Sequence, residues 1–220
     1  MSKPPMTEPP AGLSVPGWET FEGLDRKGLV VRYRDAIGVF DPRVFELEAE
    51  HSERGFGADD GVGRWSCRAL LNHLADAEMM FTQRIRRALA EDSPVLADWD
   101  HDAFMSSPLY GSGGEGASNP FAPIMTPMGA LAATIHTLRL WTASVLFQLD
   151  DPAWERAALH PERGPLTVDN LVRTACWHVE HHGVFLNAKV ALMLGPPTKP
   201  EPCDDVPSGG CGEGCGCVDG

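Results

Sequence analysis

Two imidazoles one helical turn apart are the residues in this chain whose types and spacing most plainly invite chemistry. Residues 175 to 186 read ACWHVEHHGVFL, with His178, His181 and His182 inside an apolar run. A ring nitrogen on a buried face is unfavourable unless it finds a partner. At about 100° per residue, Leu171, Ala175, His182, Phe185 and Lys189 fall on the same side as His178. His178 and His182 therefore lie in the inward stripe, His181 falls at its edge, and Glu180 points the opposite way. Histidines at i and i+4 can hold one metal ion between them. They can equally be core histidines satisfied by hydrogen bonds.

A second helix offers a further candidate. His73 shares a face with Ala69, Leu70, Ala77 and Met80, again apolar and inward. Metal sites in helical bundles are built from side chains on facing helices. His73, His178 and His182 together fit zinc, nickel or iron and leave coordination positions open. An ion held this way lowers the pKa of a bound water, which leads to hydrolysis. It can also hold a thiol as thiolate, which leads to thiol transfer. Asp76 follows His73 by one turn on nearly the same face, where it could orient an imidazole, act as a base, or make an ordinary polar contact between helices. Glu78 points away from this site.

Other reactive residue types have plainer readings. Trp65, Trp141 and Trp177 read as core or packing aromatics, and Trp99 and Asp100 as surface residues of a long loop that could border a pocket. Cys67 opens a helix, where the dipole would lower a thiol pKa, but a small core residue is the commoner role. Cys176 reads as packing, and His51, His101, His136 and His160 have no evident partners. The last stretch, KPEPCDDVPSGGCGEGCGCVDG, holds four of the six cysteines. Cys203, Cys211, Cys215 and Cys217 could bind one soft ion, form redox-sensitive disulfides, or belong to a disordered tail.

Four helices must position these groups. The pattern predicts helices over residues 24 to 40, 66 to 92, 127 to 149 and 167 to 194, with a short helix after Asp41-Pro42. Ser66 is placed to cap the second, and Gly195-Pro196-Pro197 to end the fourth. No strand pattern stands out, so the expectation is an all-α four-helix bundle spanning residues 23 to 195. Residues 1 to 22, with five prolines, read as a disordered or loosely docked arm, and residues 196 to 220 as a flexible Gly- and Cys-rich tail. Residues 94 to 126 read as an irregular connection, long enough to be functional or mobile.

The chain has 220 residues and a net charge of −13. That charge argues against nucleic acid and anionic membrane surfaces as partners. No apolar run reaches a membrane span and the N-terminus has no signal-peptide core, so a cytoplasmic location is expected. Cysteines there are more often reduced or metal-bound than bridged.

The sequence also resembles a known family. The segments GRWSCRALLNHLADAEMMFTQRIRRALAEDSPVLADWDHDAF, LDDPAWERAALHPERG and LTVDNLVRTACWHVEHHGVFL are similar to the DinB superfamily and, within it, to YfiT-like proteins. The marks are Trp65-Ser66, the run from His73 to Asp76, the signature Trp177, His178, His181, His182, and the segment His160 to Gly164. Such proteins often carry another histidine after the signature, where this chain has Phe185 and Leu186. The resemblance implies a four-helix bundle holding a divalent metal on three histidines, which map to His73, His178 and His182. It implies hydrolysis of a small electrophile or transfer to it of a low-molecular-weight thiol, and is compatible with a homodimer. A different class of function, metal binding or handling without turnover, would use the tail cysteines together with the histidine site.

Overall fold

The computed structural model describes residues 13 to 110 and 126 to 197. Eight α-helices and one hairpin follow in chain order: α1 (Glu19–Glu22), α2 (Arg26–Arg34), α3 (Ala49–Glu53), α4 (Cys67–Ala90), α5 (His101–Ser106), α6 (Met128–Leu146), α7 (Asp151–Trp154), β1 (Ala157–His160), β2 (Gly164–Thr167) and α8 (Val168–Leu194). The bundle is formed by α2, α4, α6 and α8. Helix α4 packs on α6 and α8, and α2 closes the ring against the other sides of α6 and α8.

The helices start where side chains satisfy the free N–H groups of a first turn. Asp25 accepts from Gly28 N at 2.8 Å at the head of α2, and Ser66 from Ala69 N at 3.1 Å at the head of α4. Thr167 and Asn170 form a reciprocal capping box on α8. The first predicted helix is shorter than expected. Helix α2 ends at Arg34, and residues 36 to 39 tighten into a 3₁₀ turn that brings Val39 and Phe40 against α8. Gly183, the residue after the histidine signature, permits that approach, because a Cβ there would lie 3.0 Å from Val39 Cγ2. The short helix expected after Pro42 divides into a 3₁₀ turn and α3.

A buried polar cluster joins all four helices. The Arg139 guanidinium on α6 donates to Glu78 on α4 at 2.7 Å, to the Tyr33 carbonyl on α2 at 2.9 Å and to the Ala175 carbonyl on α8 at 2.8 Å. The Tyr33 hydroxyl donates to the other Glu78 oxygen at 2.5 Å. Arg139 and Glu78 are each 1% exposed, so every charged-group hydrogen bond here operates away from water. Apolar side chains fill the core on both sides, Phe21, Leu29, Ile85 and Trp154 in one region, Leu71, Ile135, Leu186 and Val190 in the other.

Four expectations are corrected. The chain does contain strands: β1 and β2 pair antiparallel, and Leu159 also exchanges backbone bonds with Pro94 and Leu96 at 2.8 Å. Strands of four residues are too short to show an alternating period. The arm does not stay disordered up to residue 22, since Trp18 and Phe21 are buried and the Arg173 guanidinium donates to the Phe21 carbonyl. Two aromatics outweigh the proline-rich composition, because their burial repays the ordering of the segment. Trp141 is not core: it is 51% exposed and carries the Arg86 guanidinium 3.7 Å above its ring. The 94–126 connection is not irregular throughout, because α5 and a 3₁₀ turn over Pro108–Tyr110 lie within it. The tail cysteines Cys203, Cys211, Cys215 and Cys217 lie outside the described residues. Among the described residues, no helix is long and apolar enough to cross a membrane.

Candidate metal centre

Helix α4 contributes His73, and α8 contributes His178 and His182 from consecutive turns. One ring nitrogen from each lies within 4.8 Å of the other two, and the Nε2 atoms of His73 and His178 are 3.1 Å apart. The stripe deduced from the sequence is the face that packs inward: Leu171, Ala175 and Lys189 are all buried. His73 is nearly inaccessible, whereas His178 and His182 keep an accessible edge.

Electrostatics favour the neutral, metal-ligating form of all three rings. Burial, and after it the nearby His101, pushes the His73 pKa down to about 4. Burial and the neighbouring imidazoles hold His178 and His182 well below the ordinary histidine value. Three neutral rings in van der Waals range, with two Nε2 atoms facing each other, place lone pairs together that at most one shared hydrogen could reconcile. A divalent cation satisfies all three, and the donor set suits zinc, nickel or iron. The residues present therefore fit such an ion.

The surroundings are aromatic. Trp99 stacks on His73 with centroids 5.5 Å apart, and His101 approaches it at 6.4 Å. Trp65 lies 5.9 Å from His73 and 6.5 Å from His182, and Phe81 is 5.7 Å from His178. Sequence reasoning places Trp99 only at the border of a possible pocket and gives His101 no partner at all. No helical period runs through the segment that carries them, and the nearest local signal, Asp100 capping α5 through Ala103 N at 2.9 Å, says only that a helix begins.

Asp76 makes a different contact from the orienting bond considered above. Its carboxylate accepts from the Tyr110 hydroxyl at 2.5 Å, while the buried Nδ1 of His73 has no hydrogen-bond partner among the described residues. Burial raises the Asp76 pKa despite the tyrosine bond. Glu78 and Glu180 do point away from the histidines, Glu78 to Arg139 and Glu180 to Arg32 at 2.6 Å. Cys67 and Cys176 are both buried, and burial pushes their thiol pKa up to about 11 and about 12. At Cys67 desolvation is the larger influence, offset only in part by the Lys189 charge.

A bundle of four helices with a histidine triad between two of them defines a recognisable class of protein. The chain belongs to the DinB superfamily, whose sequence profile matches residues 18 to 185. YfiT of Bacillus subtilis is 30% identical over 121 residues, which cover 54% of this chain and 61% of that protein. Two proteins of Oceanobacillus iheyensis are 25% and 27% identical over 130 and 120 residues, covering 59% and 54% of this chain and 66% and 62% of theirs. All three bear the name "putative metal-dependent hydrolase". The chain thus spans slightly less than two thirds of the length of these relatives. The solved structure of Bacillus subtilis YfiT, described as having an unusual four-helix bundle topology, superposes with a TM-score of 0.60 at 19% identity. That superposition covers 85% of this chain and 97% of YfiT, and it establishes the shared bundle fold.

Proposed function

We propose that the protein is a metal-dependent enzyme that hydrolyses a small electrophilic substrate or transfers a low-molecular-weight thiol to it. The observation that carries this reading is the convergence of His73, His178 and His182 within 4.8 Å on a partly accessible edge of the bundle. In this reading the three imidazoles hold a divalent ion, and the names of the relatives support metal dependence. Such an ion supplies a Lewis acid that lowers the pKa of a water or thiol at its open position.

The other groups have roles that follow from their placement. Trp65, Trp99 and Phe81 keep water from the sides of the imidazoles and strengthen the electrostatics within. Asp76, one turn from His73 on α4, is the carboxylate assigned to proton transfer in this reading; burial raises its pKa and thereby favours holding a proton. Tyr110 holds its position by the hydroxyl bond.

The test is elemental analysis of protein purified without metal-affinity steps, with Cys203, Cys211, Cys215 and Cys217 changed to serine so that only the histidine centre counts. About one divalent ion per chain is expected, lost in His178→Ala. Ester and amide hydrolysis and thiol transfer are then assayed with panels of small electrophiles and thiols. Absence of metal from the serine variant after supply of zinc, nickel and ferrous iron would overturn the reading.

A further inference from the structure

A cavity of about 230 Å³ opens beside His182, and the chemistry of its lining is unusual for this chain. Trp65, Leu70 and Phe185 supply apolar walls, while His181, Arg64 and Lys189 are polar or charged members. The whole sequence holds 31 acidic side chains against 18 basic ones, yet among the described residues no carboxylate lines this cavity. Its charged members are both cations.

Lys189 is the more telling of the two. It is 1% exposed, and its ammonium donates to the backbone carbonyls of Val62 and Gly63. The ring of Phe56 lies 4.5 Å away. Among the described residues, no carboxylate forms an ion pair with it, and the groups that favour its charge are Cys67 and, after it, Asp60. Burying an ammonium without a counter-charge is unfavourable, and two carbonyl dipoles compensate only in part. Burial pushes the pKa down to about 8, which still leaves the group mainly charged at neutral pH. Gly63 has a positive φ of 74°, a conformation that aims its carbonyl at the ammonium and that a side chain would strain. The same wall carries a second unmet polar atom, because His181 is buried with no hydrogen-bond partner for Nδ1 among the described residues. Arg64 stands exposed at the rim and makes no salt bridge among those residues.

Lys189 follows His182 by seven residues on the same face of α8, which places their Cα atoms about 10 Å apart along the helix axis. We propose that this cavity is the substrate pocket and that Lys189, with Arg64 at the rim, receives a carboxylate group of an otherwise apolar substrate. The reacting end of that substrate then lies toward the three-histidine centre, a part of the proposal that rests on the metal-enzyme reading above. Trp65, Leu70 and Phe185 bury the apolar body, and a charge-assisted hydrogen bond fixes the far end.

The experiment uses full-length, metal-free protein and two probes of equal shape, 4-phenylbutyrate and its uncharged amide, 4-phenylbutanamide. Calorimetry is expected to show the acid binding at least tenfold more tightly than the amide. Lys189→Gln should abolish that difference, and Lys189→Arg should keep most of it. The chain has four lysines, so the ¹³Cε signal of Lys189 in labelled wild-type protein is a readout that survives if Lys189→Gln does not fold. That signal should shift with the acid and not with the amide. Equal binding of acid and amide, binding of neither, or an unmoved Lys189 signal would overturn the proposal and leave Lys189 as an internal tie for the 62–63 turn. The measurement needs no metal. Acid-selective binding in a chain that never takes up an ion would retire the enzyme reading and keep the anion site.

Discussion

Trp99 lies flat on the imidazole of His73, with ring centroids 5.5 Å apart and planes 14° from parallel. The contact closes a circuit that starts and ends on α4. Asp76 holds the Tyr110 hydroxyl at 2.5 Å, Tyr110 meets Phe104 at 6.2 Å, Phe104 meets Trp99 at 5.8 Å, and Trp99 covers His73. One turn of α4 thus anchors both ends of the segment that shields the centre. Trp99→Ala should leave metal stoichiometry at about one per chain but speed metal loss to a chelator about tenfold, as expected when a supporting neighbour of a ligand is removed. Stopped-flow chelator competition measures this. An unchanged rate would mean the shield has no part in holding the ion.

Replacement of His73, His178 or His182 by alanine should each abolish stoichiometric metal binding. A ligand that binds only the folded state raises its stability. Chelation should therefore lower the wild-type Tm and leave the Tm of each alanine variant unchanged. Calorimetric melts with and without chelator separate this from a general packing defect, which would lower both melts together.

The four-helix polar cluster should dominate stability. Glu78→Gln leaves the Arg139 guanidinium, 1% exposed, without its counter-charge. The expected loss is about 3–5 kcal/mol, seen in urea unfolding at an unchanged m-value. Glu78→Gln combined with Arg139→Met should lose less than Glu78→Gln alone, since no buried charge is left stranded. A loss below about 1 kcal/mol in the single variant would show that water reaches the pair.

Acid should destabilise the metal-free protein in a defined window. The His73 pKa is pushed down by burial to about 4, from an unfolded value near 6.5. Between those values the unfolded chain binds a proton that the folded chain does not, so stability falls as pH drops. The full gap corresponds to about 3 kcal/mol at this one group. Urea midpoints from pH 7 to 4 should fall for wild type and fall less steeply for His73→Phe. Parallel curves would remove His73 from the cause.

Cys67 and Cys176 should resist alkylation in the folded state. Their thiols are buried and their pKa values lie near 11 and 12, so almost no thiolate is present at pH 8. Peptide mapping after iodoacetamide should find both unmodified until denaturant is added. Labelling of Cys67 at native rates would show the first turn of α4 opening.

Much of the architecture was legible in local pattern. The 3.6-residue period placed His178, His182, Leu171 and Lys189 on one face of α8, and Ser66 and Thr167 are caps by their side-chain chemistry. His73 was legible by the same reasoning on α4. Trp99, His101 and the tie from Asp76 to Tyr110 were not, because the segment carrying them has no period from which a direction can be read. Trp18 and Phe21 were hidden by the prolines around them, and β1 and β2 by their length.

The sequence by itself determined where the long helices begin, which face of each turns inward, and that imidazoles populate two of those faces. These follow from backbone geometry and side-chain direction, which act within a few residues. Only the tertiary structure decided that His73 meets His178 across 105 positions, that Arg139 takes Glu78 rather than water, and that Lys189 borders a cavity that no carboxylate of the described residues lines. Each of these depends on two distant segments closing in one register, and in a dry interior that register decides whether a polar group is paired, left uncompensated or free to bind.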